Sequence, residues 1–220
     1  MATTKAEETS LRILDSALTL FRRDGFEKAT MRDIAAEAGV ATGAAYYYYS
    51  SKDAIVMAFY ERACEAMQPE IEAALDGVKG LENQLCELIR VKLAHFAENR
   101  AVLRALLRNG ADPAYPLSPF SVETKKIREI DIAWFQRILT DSGTRVPRDL
   151  APHLPGVLWL FQMGVIYFWV IDDSPEQERT QRLLGLGAKV AATLVRVSAL
   201  PLLRPLRRTA LALIEIVSGA

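Results

Sequence analysis

Histidine and cysteine are the scarcest chemistry-bearing residues in this chain, with two of each among 220. Neither His95 nor His153 stands near a paired carboxylate, a nucleophile or a metal-ligand spacing. Cys64 and Cys86 lie too far apart for a zinc or redox motif and read as reduced packing residues of a cytosolic protein. There is no glycine-rich phosphate loop, and Asp172-Asp173 reads as the polar stop of a helix rather than a metal site. Catalysis therefore has no candidate residue, and no enzyme activity, cofactor or metal is expected. Net charge is missing too: 27 lysines and arginines balance 27 aspartates and glutamates. The first sixty residues carry seven basic and eight acidic side chains, so no global field draws the chain to nucleic acid, and local placement has to supply any attraction.

Other absences bear on the fold. No proline precedes Pro69, as suits a compact helical unit. No run alternates apolar and polar residues as a half-buried strand does, so the fold class expected is all-α. The N-terminus is polar and acidic, without the apolar stretch of a signal peptide. Half of the residues are hydrophobic and a quarter charged, ordinary for a soluble globular protein of one or two domains.

What is present is concentrated between Thr30 and Asp53. Thr30 is a good N-cap, and Asp33 sits where an acid returns the bond of a capping box. Met31, Ile34, Ala35 and Ala38 follow at helical spacing. Gly39 is a natural left-handed stop, and Val40 plugs the turn. A second helix starts near Ala41–Gly43 and runs through Tyr46, Tyr47, Tyr48 and Tyr49. Ser50 with Asp53 offers a capping box to the next helix. Helix, glycine turn, helix is the pattern of a helix-turn-helix, whose second helix enters the major groove of DNA.

Four of the seven tyrosines are consecutive here. At about 100° per residue, four successive side chains sweep the whole circumference of a helix, so they cannot all be core. With Ala45 and Tyr49 turned inward, Thr42, Gly43, Tyr46 and Tyr47 face away and Tyr48 lies on the flank. Exposed rings of this kind point to a partner surface, and the adjacent turn makes that partner DNA.

Residues 10–60 resemble the DNA-binding region of the tetracycline-repressor (TetR) family of bacterial transcription regulators. The resemblance rests on Ile13, Ala17, Phe21, Gly25 and Phe26; on Thr30, Ile34, Ala35, Ala38, Gly39 and Val40; and on Gly43, Tyr46, Tyr48, Ser51 and Lys52. It covers the first quarter of the chain closely and the remainder in helix pattern and length. Ala41 stands where the family commonly has Ser or Thr, Ala45 where Leu is frequent, and Tyr49 where Phe is usual. The resemblance implies an N-terminal helix-turn-helix DNA-binding domain over residues 1–52 and a C-terminal helical ligand-binding and dimerisation domain over 53–220, joined by a long helix. It implies a cytoplasmic, homodimeric regulator, most often a repressor, that binds an inverted-repeat operator in double-stranded DNA and answers to a small, largely apolar effector. A helical sensor or scaffold without operator binding is the alternative, with an enzyme behind it. On this reading Thr42, Gly43, Tyr46 and Tyr47 meet base edges through hydroxyls and ring contacts with thymine methyls. Thr30, Tyr48 and Lys52 are placed for phosphate.

Along the rest of the chain, Met1–Glu8 reads as a mobile tail before a helix from Thr9 or Ser10 to Gly25. Arg22 and Arg23 compensate that helix's dipole. A helix from Ser51 is expected to break at Pro69, and another spans Leu81 to Asn99, followed by a shorter one through Leu107. Residues 110–119 form a loop, and Ser118 or Ser121 caps a helix ending at Gly143. The apolar run Leu154–Ile171 approaches the length of a membrane span. Pro155, Gln162 and Asp172-Asp173 favour instead a helix buried between the protomer's core and a second subunit. Pro175 opens a further helix, where Gly185, Ala188 and Ala192 allow close approach. Val165 and Val190 are expected at the dimer interface. Arg204, Arg207 and Arg208 on the last amphipathic segment read as a solvated edge. Aromatics are abundant between residues 81 and 171, and the ligand-binding candidates there are His95, Phe96, Trp134, Trp159, Gln162 and Tyr167.

Overall fold

The computed structural model describes residues 4–218, all of whose regular structure is helical. In order the α-helices are α1 (Lys5–Asp24), α2 (Met31–Glu37), α3 (Thr42–Tyr48), α4 (Lys52–Leu75), α5 (Leu81–His95), α6 (Arg100–Leu106), α7 (Lys125–Asp141), α8 (Leu154–Ile171), α9 (Glu178–Ser198) and α10 (Arg204–Ser218). Packing divides the chain into two compact units, Met1–Met67 with His95–Arg128 and Gln68–Ala94 with Glu129–Ala220. The first unit runs through the start of α4 to Met67 and takes in residues 95–128 as well, whereas the domain boundary expected from sequence was 52/53. Val102, Leu106 and Leu117 are buried in the same core as Ile13, Phe21, Ile34 and Ile55.

In the first unit, α1 begins earlier than expected. Thr4 Oγ1 accepts from the Glu7 amide and the Glu7 carboxylate accepts from the Thr4 amide, so the capping box of Thr4 and Glu7 starts the helix at Lys5 and shortens the tail. Met1–Thr3 lie outside the described residues. Gly25 ends α1, and Phe26 beyond it packs edge-on against Phe21 with ring centroids 5.0 Å apart. Arg22, beyond any effect on the dipole, donates to Asn99 Oδ1 at 3.0 Å. Ser51, not Ser50, caps α4: its Oγ accepts from the Ala54 amide at 3.1 Å. The expected capping box of Ser50 with Asp53 therefore does not form, since the helix starts one residue later.

The long helix α4 is unbroken through Pro69. Proline removes one donor, which orphans the carbonyl four residues back, but Glu65 and Pro69 are both exposed and water can satisfy that carbonyl. The helix expected over 81–99 stops at His95, and a 3-10 turn at Ala97–Asn99 leads into α6. In the loop before α7, buried hydroxyls replace a single cap. Ser118 Oγ donates to Gly110 O at 2.6 Å, Ser121 Oγ to Pro116 O at 2.8 Å and Thr124 Oγ1 to Ser118 O at 2.7 Å.

The second unit packs α8 on α9. A Cβ on Gly187 would lie 2.6 Å from the Phe161 ring. Gly187 thus admits the Phe161 ring of α8, with Ala188 and Ala192 buried beside it. α8 is apolar enough in length and composition to cross a membrane, and half of it is buried in the protein. Val165 is buried within the protomer, which removes it from the expected dimer surface. The stop after α8 is the more structured of two neighbours. Asp172 is fully buried and accepts from the Thr180 amide and hydroxyl at 2.9 and 2.6 Å and from the Ser174 hydroxyl at 2.7 Å. Burial raises its pKa, but the bonds from Thr180 and Ser174 outweigh that and hold the carboxyl well below the usual range. Pro175 opens a 3-10 turn in which Glu176 and Gln177 take positive φ, and α9 proper begins at Glu178. Cys64 and Cys86 carry thiols and form no disulfide.

Candidate nucleic-acid interface and bundle sites

Three local devices aim α3. Thr30 and Asp33 form the expected capping box of α2, with Asp33 Oδ2 accepting from the Thr30 amide at 3.1 Å. Gly39 takes φ +65°, a conformation that side chains with a Cβ rarely adopt, and turns the chain. The Val40 amide then closes on Ala35 O at 2.9 Å. α3 itself is poorly capped: Ala41 at its N-cap offers no side-chain bond. Its orientation comes from packing. Ala45 is wholly buried, and Tyr49 is 9% exposed with its hydroxyl 2.8 Å from Ser10 Oγ.

The opposite face is open. Tyr46 is 52% and Tyr47 83% exposed, and Thr42 and Gly43 are exposed beside them. Among the described residues, and apart from its chain neighbours and its own helix backbone, nothing lies within 4 Å of where a Gly43 Cβ would stand, so packing against other elements does not account for glycine there. Tyr48 is half-buried against the head core, with its ring edge-on to Tyr47 at 5.2 Å. Thr30 is exposed at the start of α2.

Lys52 is engaged within the protein. Its Nζ donates to Phe26 O at 2.6 Å and Glu27 O at 3.3 Å and stands 4.6 Å from the Phe26 ring centroid. It ties the α1–α2 connection to the start of α4, a role invisible in sequence because the partners lie 26 and 25 positions away.

The six ligand candidates are divided between the two units. His95 and Phe96 belong to the first unit, where Phe96 packs edge-on against Phe59 at 5.8 Å. Trp134, Trp159, Gln162 and Tyr167 belong to the second. There Trp159 is buried, and the Arg137 guanidinium stands 5.1 Å from the Trp134 ring centroid.

Gln162 is the centre of a polar node that the sequence did not announce. Lys92 on α5, 3% exposed, donates to Gln162 Oε1 at 2.6 Å and pairs with Asp131 on α7. Gln162 Nε2 donates to Asp131 Oδ2 at 2.5 Å. The sequence signals were a lysine inside the apolar stripe of α5 and the lone glutamine of the apolar run that forms α8. The Tyr167 hydroxyl is buried with no hydrogen-bond partner among the described residues, and burial raises its pKa. An apolar groove of about 490 Å³ lies elsewhere in this unit, between α8, α9 and α10, and none of the six candidates lines it. Among the described residues no cluster of His, Cys, Asp and Glu has the makings of a metal site.

Comparison with known proteins gives the family of the chain. The family model described as bacterial regulatory proteins, tetR family, matches residues 13–59, and the one described as tetracyclin repressor-like, C-terminal domain, matches residues 84–210. The HTH-type transcriptional regulator UidR of Escherichia coli K12 is 22% identical over 110 residues, 50% of this chain and 56% of UidR. The chain thus spans about half the length of the curated relatives it matches. A TetR-family regulator from Syntrophomonas wolfei shares the fold with a TM-score of 0.65 at 21% identity, covering 84% of this chain and 95% of that one. The Thermus thermophilus FadR repressor, solved with lauroyl-CoA, superposes with a TM-score of 0.61 at 20% identity, covering 87% and 95%.

Proposed function

Because the chain belongs to the tetR family of bacterial regulatory proteins, we propose that it is a cytoplasmic homodimeric repressor that leaves an inverted-repeat operator when a small, largely apolar ligand binds. It is a transcriptional regulator with a helix-turn-helix head; the finer reading rests on its surfaces. The carrying observation is the face of α3, where Tyr46, Tyr47, Thr42 and Gly43 stand exposed while Ala45 and Tyr49 are buried. With no Arg, Lys, Gln or Asn on that face, the tyrosine and threonine hydroxyls and the rings do the reading. Thr30 and Tyr48 flank it for phosphate. Lys52 keeps its place as a phosphate candidate only if one of its three ammonium hydrogens remains directed outward.

Dimerisation is supported by a second exposed face. Leu183, Leu186, Val190 and Leu194 form one stripe of α9, and Val157, Leu160 and Ile171 one stripe of α8. An apolar patch of this extent is unfavourable in water and suits a subunit interface. We assign operator recognition to residues 1–52 and ligand response and dimerisation to 53–220. The unpartnered Tyr167 hydroxyl and the Gln162 node offer the effector its polar contacts, and the lauroyl-CoA bound by the Thermus FadR repressor gives one example of an apolar effector in a fold neighbour.

The test is selection of bound sites from random duplexes, followed by light scattering of the free protein. The expected outcome is an inverted repeat whose half-sites lie about 34–36 Å apart, or a multiple of this, bound by a dimer. Selection without a consensus, or a monomer at micromolar concentration, would overturn it.

A further inference from the structure

Base pairs are told apart in the major groove chiefly by forked or charged side chains: Arg or Lys on guanine, Asn or Gln on adenine, Asp or Glu on cytosine. α3 has none of these among its seven residues. Lys28 and Arg32 are exposed, but they belong to α2 and the turn before it, the part of a helix-turn-helix that crosses the phosphate backbone. Phosphate contacts position a protein without reading sequence. Lys52 is tied to the Phe26 and Glu27 carbonyls.

What α3 presents instead is carbon and hydroxyl. The Ala41 and Thr42 methyls stand exposed at its N-terminal end, the end of a recognition helix that meets base edges. Tyr46 and Tyr47 follow one turn on, both exposed. The Tyr47 ring lies edge-on to Tyr48 at 5.2 Å, and Tyr48 packs against the head core. Tyr47 is thus braced before a duplex arrives, and little side-chain freedom is lost on contact. Gly43 adds no Cβ between these side chains, so a base edge can approach the helix backbone.

A tyrosine or threonine hydroxyl can donate or accept. It therefore satisfies thymine O4, an acceptor, and the cytosine N4 amino group, a donor. The C5-methyl is different. It is present on thymine, absent from cytosine, and is the group in the groove that an apolar surface recognises.

We propose that α3, through Tyr46 and Tyr47, reads the pattern of pyrimidine C5-methyls in its operator rather than the hydrogen-bonding pattern of the base pairs. A 5-methylcytosine·guanine pair then stands in for thymine·adenine at the contacted positions. A cytosine·guanine pair there is a defect that C5-methylation repairs, which makes cytosine methylation inside a half-site an input to this regulator separate from its effector. The proposal rests on operator recognition by α3, and the experiment separates the failure of one from the failure of the other.

The full chain is first given random duplexes, and the selected duplex is then rebuilt position by position. Deoxyuridine for thymidine removes the methyl and keeps every hydrogen-bonding group. A 5-methylcytosine·guanine pair keeps the methyl and changes those groups, and cytosine·guanine changes both. At the contacted thymines, deoxyuridine should weaken binding about fourfold, the effect of one buried methyl. The 5-methylcytosine·guanine pair should stay within about twofold of the parent, and cytosine·guanine should lose about fourfold or more. Y46A/Y47A, with its fold checked by circular dichroism, should bind the thymine and uracil duplexes more nearly alike. Equal binding of a fully uracil-substituted duplex would overturn the methyl reading. So would a 5-methylcytosine pair that costs more than uracil, or an undiminished thymine preference in Y46A/Y47A. Each of these results leaves operator binding standing, whereas failure to select any duplex would overturn both.

Discussion

The two units treat buried polarity differently. The first unit keeps its helix caps short in sequence and exposed, Thr4 with Glu7 and Thr30 with Asp33 being three residues apart, and its longer-range polar bonds, Ser10 to Tyr49, Lys52 to Phe26 and Arg22 to Asn99, are only part-buried. Its buried polar side chains are neutral ones, Tyr49, Asn99, Ser118, Ser121 and Thr124. The second unit buries charge. Lys92 reaches Gln162 seventy positions away and Asp131 thirty-nine away, and Asp172 is sealed beneath Thr180. Local caps set the direction of a helix, whereas a buried ion pair ties one helix to another and is costly to leave half-made. Both units use partners that only folding brings together, but only the second seals charge among them.

The sharpest break in this comparison is a carboxylate placed on the two sides of the α8–α9 layer. Val165→Asp puts an unpaired charge in the protomer core and should lower stability by roughly 4 kcal/mol or more. Leu186→Asp, on the exposed stripe, should leave the protomer folded and convert the dimer to monomer. Urea unfolding and light scattering separate the two; similar unfolding of both variants would mean that α9 has no free outer face.

Next in size is the buried node. Lys92→Met strands the Asp131 carboxylate and should cost about 3 kcal/mol, while K92M/D131L should recover most of it. Chemical denaturation of the singles and the double closes this cycle, and additive losses would show that the pair is not coupled.

In the head the contrast is between adjacent tyrosines. Tyr47→Ala should leave the unfolding midpoint nearly unchanged and weaken operator binding by about 1–3 kcal/mol. Tyr49→Ala should cost about 3 kcal/mol of stability from the lost core ring. A Tyr47 variant that binds its selected duplex as tightly as the parent removes that ring from the interface. The smallest effect is expected at the bare cap of α3, where Ala41→Ser should stabilise the head by about 1 kcal/mol, read as a rise in thermal midpoint.

Legibility follows the same division. The Thr30 cap, the Gly39 turn and the inward pair Ala45 and Tyr49 were readable because each depends on residues one helical turn apart. So were the length and ends of α8, from its apolar run. The Thr4 box was present in the sequence but hidden by the assumption that a polar terminus is loose. Residues 102–117 gave no sign of joining the head core, since apolar periodicity shows which face is buried and not against what. The same limit hid Lys92 and Asp131, and it placed Val165 on the wrong side of its helix. Pro69 misled in the other direction, because a helix can carry an interior proline where the orphaned carbonyl faces water and the helix bends to clear the ring.

The tyrosine run has a consequence for reactivity. Four chemically identical phenols sit on consecutive residues, yet one points to solvent, one is half open, one lies on a flank and one is hydrogen-bonded in the core. A reagent that attacks accessible phenol rings, such as a nitrating agent, would therefore label them at different rates, Tyr47 ahead of Tyr46 and Tyr49 last. The protein carries its own graded footprinting probe at the place where a duplex would lie. Protection of the two fast rings, with Tyr49 unchanged, would map contact residue by residue without any mutation.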